Sequence, residues 1–596
     1  MPARGRGRCR GGGGPRKPAS AQKNMYMARP AVTELPPELQ VQPSNESIPP
    51  KINDAFPEFV QPQAFFTALE RLRPELAGQP DAYHKCWVGV PESEIKSIQT
   101  DDEDGFFATL TKSNDESCPL FVKRIHLLDP MTSMEGGYVF PDEGCLPAPS
   151  QLWKPVLQKL NDPLNEAYVD ALFASQASLF LKKSPHWLRC FGTYVARVEK
   201  YLYNITDEYE SLKSRPWWRR NQRLGLFRLF KDEDAQQKHQ EFLTTGLTDL
   251  IGDDFQDLSD LEDSPSVDDC VDDSEPEHTG ESVKLSEPKV RLQRMTDPPS
   301  DESDGSDDTD SEYSEDEIQQ FAEFNNYPVQ VQLLEKADGT MDELLDLEDD
   351  ERIPVVDGES KDERWSAWLF QVIAALTEAQ HWFGFVHNDL HTNNVMWNTV
   401  SDSHVYYRVH KGKETWYMRV PTFGKLMKII DFGRASFTIP GVGFFISDAF
   451  YPGNDAAEQY NCDPFYDPED GPKVEPNTSF DLARLSVSLL ESLYPERPNA
   501  ASPVKVMSRE GAKLYTETVS GVYNLLWEWL QDDEGKNILR APDGEERYPD
   551  FDLYKVLAAN VHKAVPARQV EKPVFSKYRC LAKDVPTGTT VYDLHI

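Results

Sequence analysis

The chain contains no run of eighteen apolar residues, about the length a helix needs to cross a bilayer. Residues 1–20 also lack the apolar core of a secretory signal. The expectation is an intracellular, soluble protein of cytoplasm or nucleus with no membrane partner. Eight cysteines are scattered from Cys9 to Cys580 without a C-x-x-C pair, which argues against a disulfide framework. The N-x-S/T strings at Asn45, Asn204 and Asn477 carry little weight without secretion. Positive charge is scarce too: 62 Lys and Arg face 101 Asp and Glu, for a net charge of −39.

The basic runs are short. Arg4, Arg6, Arg8 and Arg10 precede the glycines Gly11 to Gly14. They read as a solvated, disordered tail over residues 1–54 rather than a nucleic-acid arm. Pro216-Trp217-Trp218-Arg219-Arg220 reads as a segment packed on the fold. Acid, by contrast, is concentrated. From Asp301 to Glu317 ten of seventeen residues are acidic and none is basic, and Asp253 to Asp273 is similar. Such a tract cannot bury enough apolar surface to offset its ordering entropy, so residues 232–318 are expected to be a disordered insertion. Within it Ser259, Ser266, Thr309 and Ser314 each have an acid three residues on, which makes regulatory phosphorylation there an expectation.

Against these absences stands one dense polar string, His387-Asn388-Asp389-Leu390-His391-Thr392-Asn393-Asn394, followed by Asp431-Phe432-Gly433. Phosphoryl transfer needs a carboxylate near the incoming hydroxyl and side-chain oxygens for the metal ions on the phosphates. In an H-x-D-x-x-x-x-N loop followed by D-F-G, Asp389 is the candidate base, and Asn394 and Asp431 are the candidate metal ligands. Trp365 to Phe383 is apolar at the three-to-four spacing of a buried helix face and runs straight into this loop. Val395-Met396-Trp397 and Leu426 to Ile430 read as short strands bracketing it.

With this order of elements the chain resembles a eukaryotic-type protein kinase, and more narrowly the divergent protein kinases of large DNA viruses. The strings that carry the resemblance are Phe121-Val122-Lys123, Leu127-Leu128-Asp129-Pro130, Ala167-Tyr168-Val169-Asp170 and His387 to Asn394. Val420 to Lys425, Lys428 to Arg434 and Tyr548 to Tyr554 complete the set, which spans roughly residues 118–560. A viral source would imply host cytoplasm or virion. The resemblance implies a two-lobed α+β fold. A β-rich small lobe would cover residues 55–336, with the acidic insertion inside it. A mainly helical large lobe over 337–580 and a C-terminal tail over 581–596 would follow.

It also implies roles. Lys123 would hold the ATP phosphates, paired with an acid on a helix from about Asn165 to Leu181. Asp170 is favoured there over Glu166, one turn away on the same face. Val329 to Lys336 would lead into an adenine-binding hinge, with Glu335 and Ala337 offering backbone hydrogen bonds. Asp481 would brace the loop at 387–394, although an aspartate at a helix start can equally cap it.

Three departures matter. No G-x-G-x-x-G lies between Trp87 and Lys123, where only Gly89 and Gly105 occur; an unusual hairpin from Val88 to Phe107, or a loosely held ATP, is expected. His391 stands where Ser/Thr kinases carry lysine, able to donate a hydrogen bond and to charge near neutral pH. The closing A-P-E string is absent as well. The activity expected is ATP- and Mg²⁺-dependent transfer to Ser or Thr of a protein substrate. The alternatives are a catalytically dead scaffold and a small-molecule phosphotransferase.

Overall fold

The computed structural model describes most of residues 32–64, 86–138, 153–232, 319–349, 360–450, 476–540 and 547–596. The expected insertion and its four phosphorylation candidates lie outside the described residues. The chain is a mixed α+β protein.

Its N-terminal part is one curled antiparallel sheet. The strands are β1 (Phe59–Gln63), β2 (Val88–Gly89), β3 (Ile95–Thr100), β4 (Phe107–Lys112), β5 (Ser117–His126), β6 (Cys190–Asn204), β7 (Arg228–Asp232) and β8 (Gln319–Glu335). Their order is β1-β6-β8-β5-β4-β3, with β2 added to β6 and β7 to β8. The register of β5 on β8 sets Lys123 opposite Gln332. One face of the sheet closes over a core that includes Leu110, Val122, Tyr194, Val329 and Val331. Trp218 and Phe227 join that core, so the aromatic segment at 216–220 packs inward as expected while Arg219 and Arg220 stay exposed. Helix α1 (Glu166–Phe180) crosses the other face. It starts at Asn165, whose side chain accepts the Ala167 amide as an N-cap.

The C-terminal part is built around α2 (Met341–Asp349), α3 (Lys361–Phe383) and α4 (Phe480–Leu493). Helix α3 opens with a capping box between Ser360 and Glu363 and ends at Gly384 in the left-handed region. From Arg364 to Gln380 every residue is buried. A helix apolar around most of its circumference belongs at the centre of a core, and this one is the axis of the second apolar cluster. Beside it, β9 (Gly339–Thr340), β10 (Val395–Thr399) and β13 (Lys425–Ile429) form a three-stranded sheet, with β10 between the other two.

Three expectations need correction. Residues 32–54 are not part of a disordered tail, because Leu35, Leu39, Ile48 and Ile52 are buried and Gln176 donates to the Leu39 carbonyl. Their sparse apolar residues are each used. Residues 581–596 are not a loose tail either. Val591–His595 forms a strand parallel to β11 (His404–Lys411), which pairs with β12 (Glu414–Pro421). The C-terminal part is therefore less purely helical than expected, since β11 and β12 form a hairpin inserted between β10 and β13.

His186 pins that hairpin to β13. One ring nitrogen, Nδ1, donates to the Met427 carbonyl at 2.9 Å, and the other accepts from the Tyr407 hydroxyl at 2.6 Å. Burial lowers the His186 pKa to about 3. Between pH 6.5 and 3 the unfolded chain therefore binds a proton that the folded one refuses, and stability falls as pH falls. Going from pH 7 to 5 should cost about 2 kcal/mol through this residue. His186→Gln should lose that part of the pH dependence in denaturant titrations at the two pH values.

The acidic insertion leaves from one strand end and returns to its neighbour, since Asp232 is paired with Gln319. Replacing residues 233–318 by an Asn-Gly turn, which suits two adjacent antiparallel strands, should give soluble protein with an undiminished thermal midpoint. Insoluble or molten protein would show that the tract supports the fold.

Candidate functional site

The site forms where β5, α1 and the segment after β13 converge. Lys123, on β5, is 5 % exposed. Its Nζ lies 3.1 Å from Asp170 Oδ2 on α1 and 2.9 Å from Asp431 Oδ1. Burial alone would depress the lysine pKa, but the two carboxylates outweigh it and hold the pKa above the ordinary value. Asp170 is held in turn: Gln332 Nε2 donates to its Oδ2 and the Phe432 amide donates to its Oδ1 at 2.5 Å. Glu166 faces elsewhere, 3.9 Å from His126. Of the two acids one turn apart, only Asp170 meets the lysine.

The 387–394 loop is braced from below. Asp481, near the start of α4, accepts the His387 amide at 3.0 and 3.1 Å and the Asn388 amide at 3.0 Å. Ser479, not Asp481, occupies the N-cap position, so capping is not the aspartate's role. Burial raises the Asp481 pKa to about 6 against these amides and the nearby His387. His387 Nε2 donates to the Ile430 carbonyl at 2.7 Å, and the Ile430 amide donates to the Asn394 carbonyl at 3.1 Å. The two motif strings are thus stitched together. The Phe432 ring packs on Phe173, with centroids 4.8 Å apart, and on Trp187, Phe385 and His387.

Two non-glycine residues here have left-handed backbones, Asn388 at φ +67° and Asp431 at φ +62°. Such conformations are costly and persist where surrounding contacts impose them. At Asn388 the contacts are visible: its amide nitrogen donates to the Arg434 carbonyl at 2.9 Å and to Ser436 Oγ at 2.7 Å. Further along, Asp448 is buried. Its amide donates to the Leu164 carbonyl at 2.5 Å and its carboxylate pairs with Lys159 at 2.6 Å. The segment after Gly433 is therefore tied both to the loop and to the approach to α1.

Asp389 is 8 % exposed. Burial pushes its carboxyl up, but Arg434, 3.7 Å away, together with Arg484 holds it below the usual carboxylate range. Burial lowers the His391 pKa to about 4. The expectation that His391 charges near neutral pH is therefore corrected, because its enclosed ring disfavours the cation. Asn394 is fully buried, and its Oδ1 has no hydrogen-bond partner among the described residues. Among the described residues no group of three or more His, Cys, Asp or Glu is arranged to hold a metal alone. The Asn394 amide oxygen and the Asp431 carboxylate are instead donors of the kind that could hold Mg²⁺, which usually takes one or two protein oxygens plus phosphates and water.

A cleft opens above these residues, lined by Phe121, Leu188, Leu334, Ala337, Met396 and Ile430 among others. Of the two residues expected to offer backbone hydrogen bonds to adenine, Glu335 already donates its amide to the Arg189 carbonyl. The Ala337 amide makes no hydrogen bond among the described residues and remains for a ligand. Strands β3 and β4 form a hairpin over Ile95–Lys112, not over the expected Val88 to Phe107. Asp102 organises its turn by accepting the Phe106 and Phe107 amides. Gly89 is not in that hairpin; it lies in β2, where a Cβ would meet the Trp87 ring at 2.3 Å.

No protein-family model matches the chain, and no curated protein matches it.

Sequence reasoning missed Gln332, Asn388 and Arg434. Gln332 had a signal, a polar residue inside the otherwise apolar Val331-Gln332-Leu333-Leu334. Asp481→Ala would strand two buried amides and should cost about 3 kcal/mol in denaturant unfolding. Asp481→Asn, which keeps an acceptor oxygen, should cost less.

Proposed function

We propose that the chain is an ATP- and Mg²⁺-dependent protein kinase with a two-lobed kinase fold, transferring the γ-phosphate to Ser or Thr of a protein. The observation that carries this reading is Lys123 bridging Asp170 and Asp431, together with a buried Asn394 Oδ1 that has no hydrogen-bond partner among the described residues. A lysine ammonium has three donors. Two meet carboxylates here, and the third is left for a phosphate oxygen. The Ala337 amide would take an adenine nitrogen, with the ring between Phe121 and Met396. Asn394 Oδ1 and Asp431 would hold Mg²⁺, which would offset charge on the phosphates. Asp389, kept ionised, would orient the substrate hydroxyl and accept its proton as the new O–P bond forms.

The scaffold reading keeps one observation in its favour, a phosphate-side hairpin whose turn offers Asp101 and Asp102 in place of a glycine-rich string. Purified protein with labelled ATP and a mixed protein pool separates the readings. Asp389→Asn should lower turnover by at least about 10²-fold with nucleotide affinity unchanged. Lys123→Ala should weaken both, and Asp431→Asn should abolish metal-dependent turnover. Wild-type protein with no transfer to protein or small-molecule acceptors, and variants that bind ATP alike, would overturn the kinase in favour of the scaffold.

A further inference from the structure

His391 stands where Ser/Thr kinases carry lysine, and its contacts give it a different task. Asn394 closes a 3₁₀ turn over Thr392–Asn394, its amide donating to the His391 carbonyl at 3.1 Å. In such a turn the side chains at i and i+3 lie on the same side, so the two are brought together. Asn394 Nδ2 lies 3.0 Å from His391 Nε2 and 2.9 Å from the Asp389 carbonyl oxygen. An amide nitrogen only donates. His391 Nε2 is therefore the acceptor, and the ring hydrogen sits on Nδ1. Both hydrogens of the Asn394 amide are used, one on each acceptor. Rotating the amide by half a turn would set Oδ1 against the Asp389 carbonyl oxygen, two acceptors face to face. The amide is held in this orientation, and Oδ1 is left buried without a hydrogen-bond partner among the described residues.

We infer that His391 is a positioning residue for the cation site: it fixes the Asn394 amide so that Oδ1 faces the divalent ion brought in with the nucleotide. This rests on the kinase reading above and adds what the histidine does within it. A buried carbonyl oxygen without a partner is costly, and a hard cation is the ligand that removes the cost. A lysine at 391 has only donors and could not accept from Asn394. The departure from the kinase pattern thus changes the job of the position from holding phosphate to orienting a metal ligand. Thr392 Oγ1, donating to Asp342 at 2.6 Å, anchors the turn against α2.

The test uses full-length protein and measures ATP affinity by calorimetry with Mg²⁺ and again with EDTA. The variants are His391→Ala, His391→Lys and His391→Gln, with thermal melting of each to follow folding. In the wild type Mg²⁺ should tighten ATP binding. His391→Ala and His391→Lys should lose about tenfold or more of that enhancement, the usual effect of removing a group that orients a metal ligand. The metal-free affinity should stay the same in the wild type, His391→Ala and His391→Gln. His391→Gln, whose side-chain oxygen can accept from Asn394, should keep most of the enhancement. Lysine restoring the Mg²⁺ effect while glutamine does not would overturn the inference and return the residue to a phosphate clamp. Three variants all like the wild type would overturn it as well. A wild type whose ATP binding ignores Mg²⁺ would instead sink the kinase reading itself.

Discussion

The ammonium of Lys123 is the point on which the rest of the site hangs. It is buried, and it touches carboxylates from α1 and from the segment after β13, so three separately folded pieces of chain meet at one charge. Burying such a triad is weak as a source of stability, because desolvation offsets much of the attraction. Breaking it is another matter. Losing the lysine would leave two carboxylates facing each other in a low-dielectric interior without compensation. The triad therefore acts as a register, fixing how far α1 sits from the sheet and from Phe432.

Around that register the loop is held almost entirely by backbone amides and neutral side chains. Asp481 takes two adjacent amides, His387 reaches the carbonyl before Asp431, and Asn388 crosses to Arg434 and Ser436. All of these contacts but the part-buried one to Arg434 are buried, where hydrogen bonds are strong and orphaned groups are expensive. The left-handed backbones at Asn388 and Asp431 sit at the two ends of this network, which is why the strain persists.

What the sequence disclosed and what it hid follow from separation along the chain. His387 to Asn394 and Asp431 to Gly433 were legible because their spacing is local and chemically unusual. Asp170 could be preferred to Glu166, one turn away on the same face, because it stands closer to the Pro185-His186 corner after the helix, though only the geometry sends Glu166 toward His126. Gln332 reaches Asp170 across 162 residues, and no pattern in one strand names its partner. His391 was legible as a departure but not as an acceptor, since its role depends on a turn that brings it over Asn394. The strand at Val591–His595 and the buried Leu35 and Leu39 were hidden by polar, proline-containing surroundings that resemble tails until a neighbour covers them.

Asp448 carries a consequence of its own. Its carboxylate is present from translation onward, so the tie between Lys159 and the segment after Gly433 is inherited with the gene and needs no later chemistry to install it. Because the pair is enclosed, added salt reaches it poorly. A tie of this kind has no eraser: no hydrolase can remove the charge, and only replacement of the residue changes it.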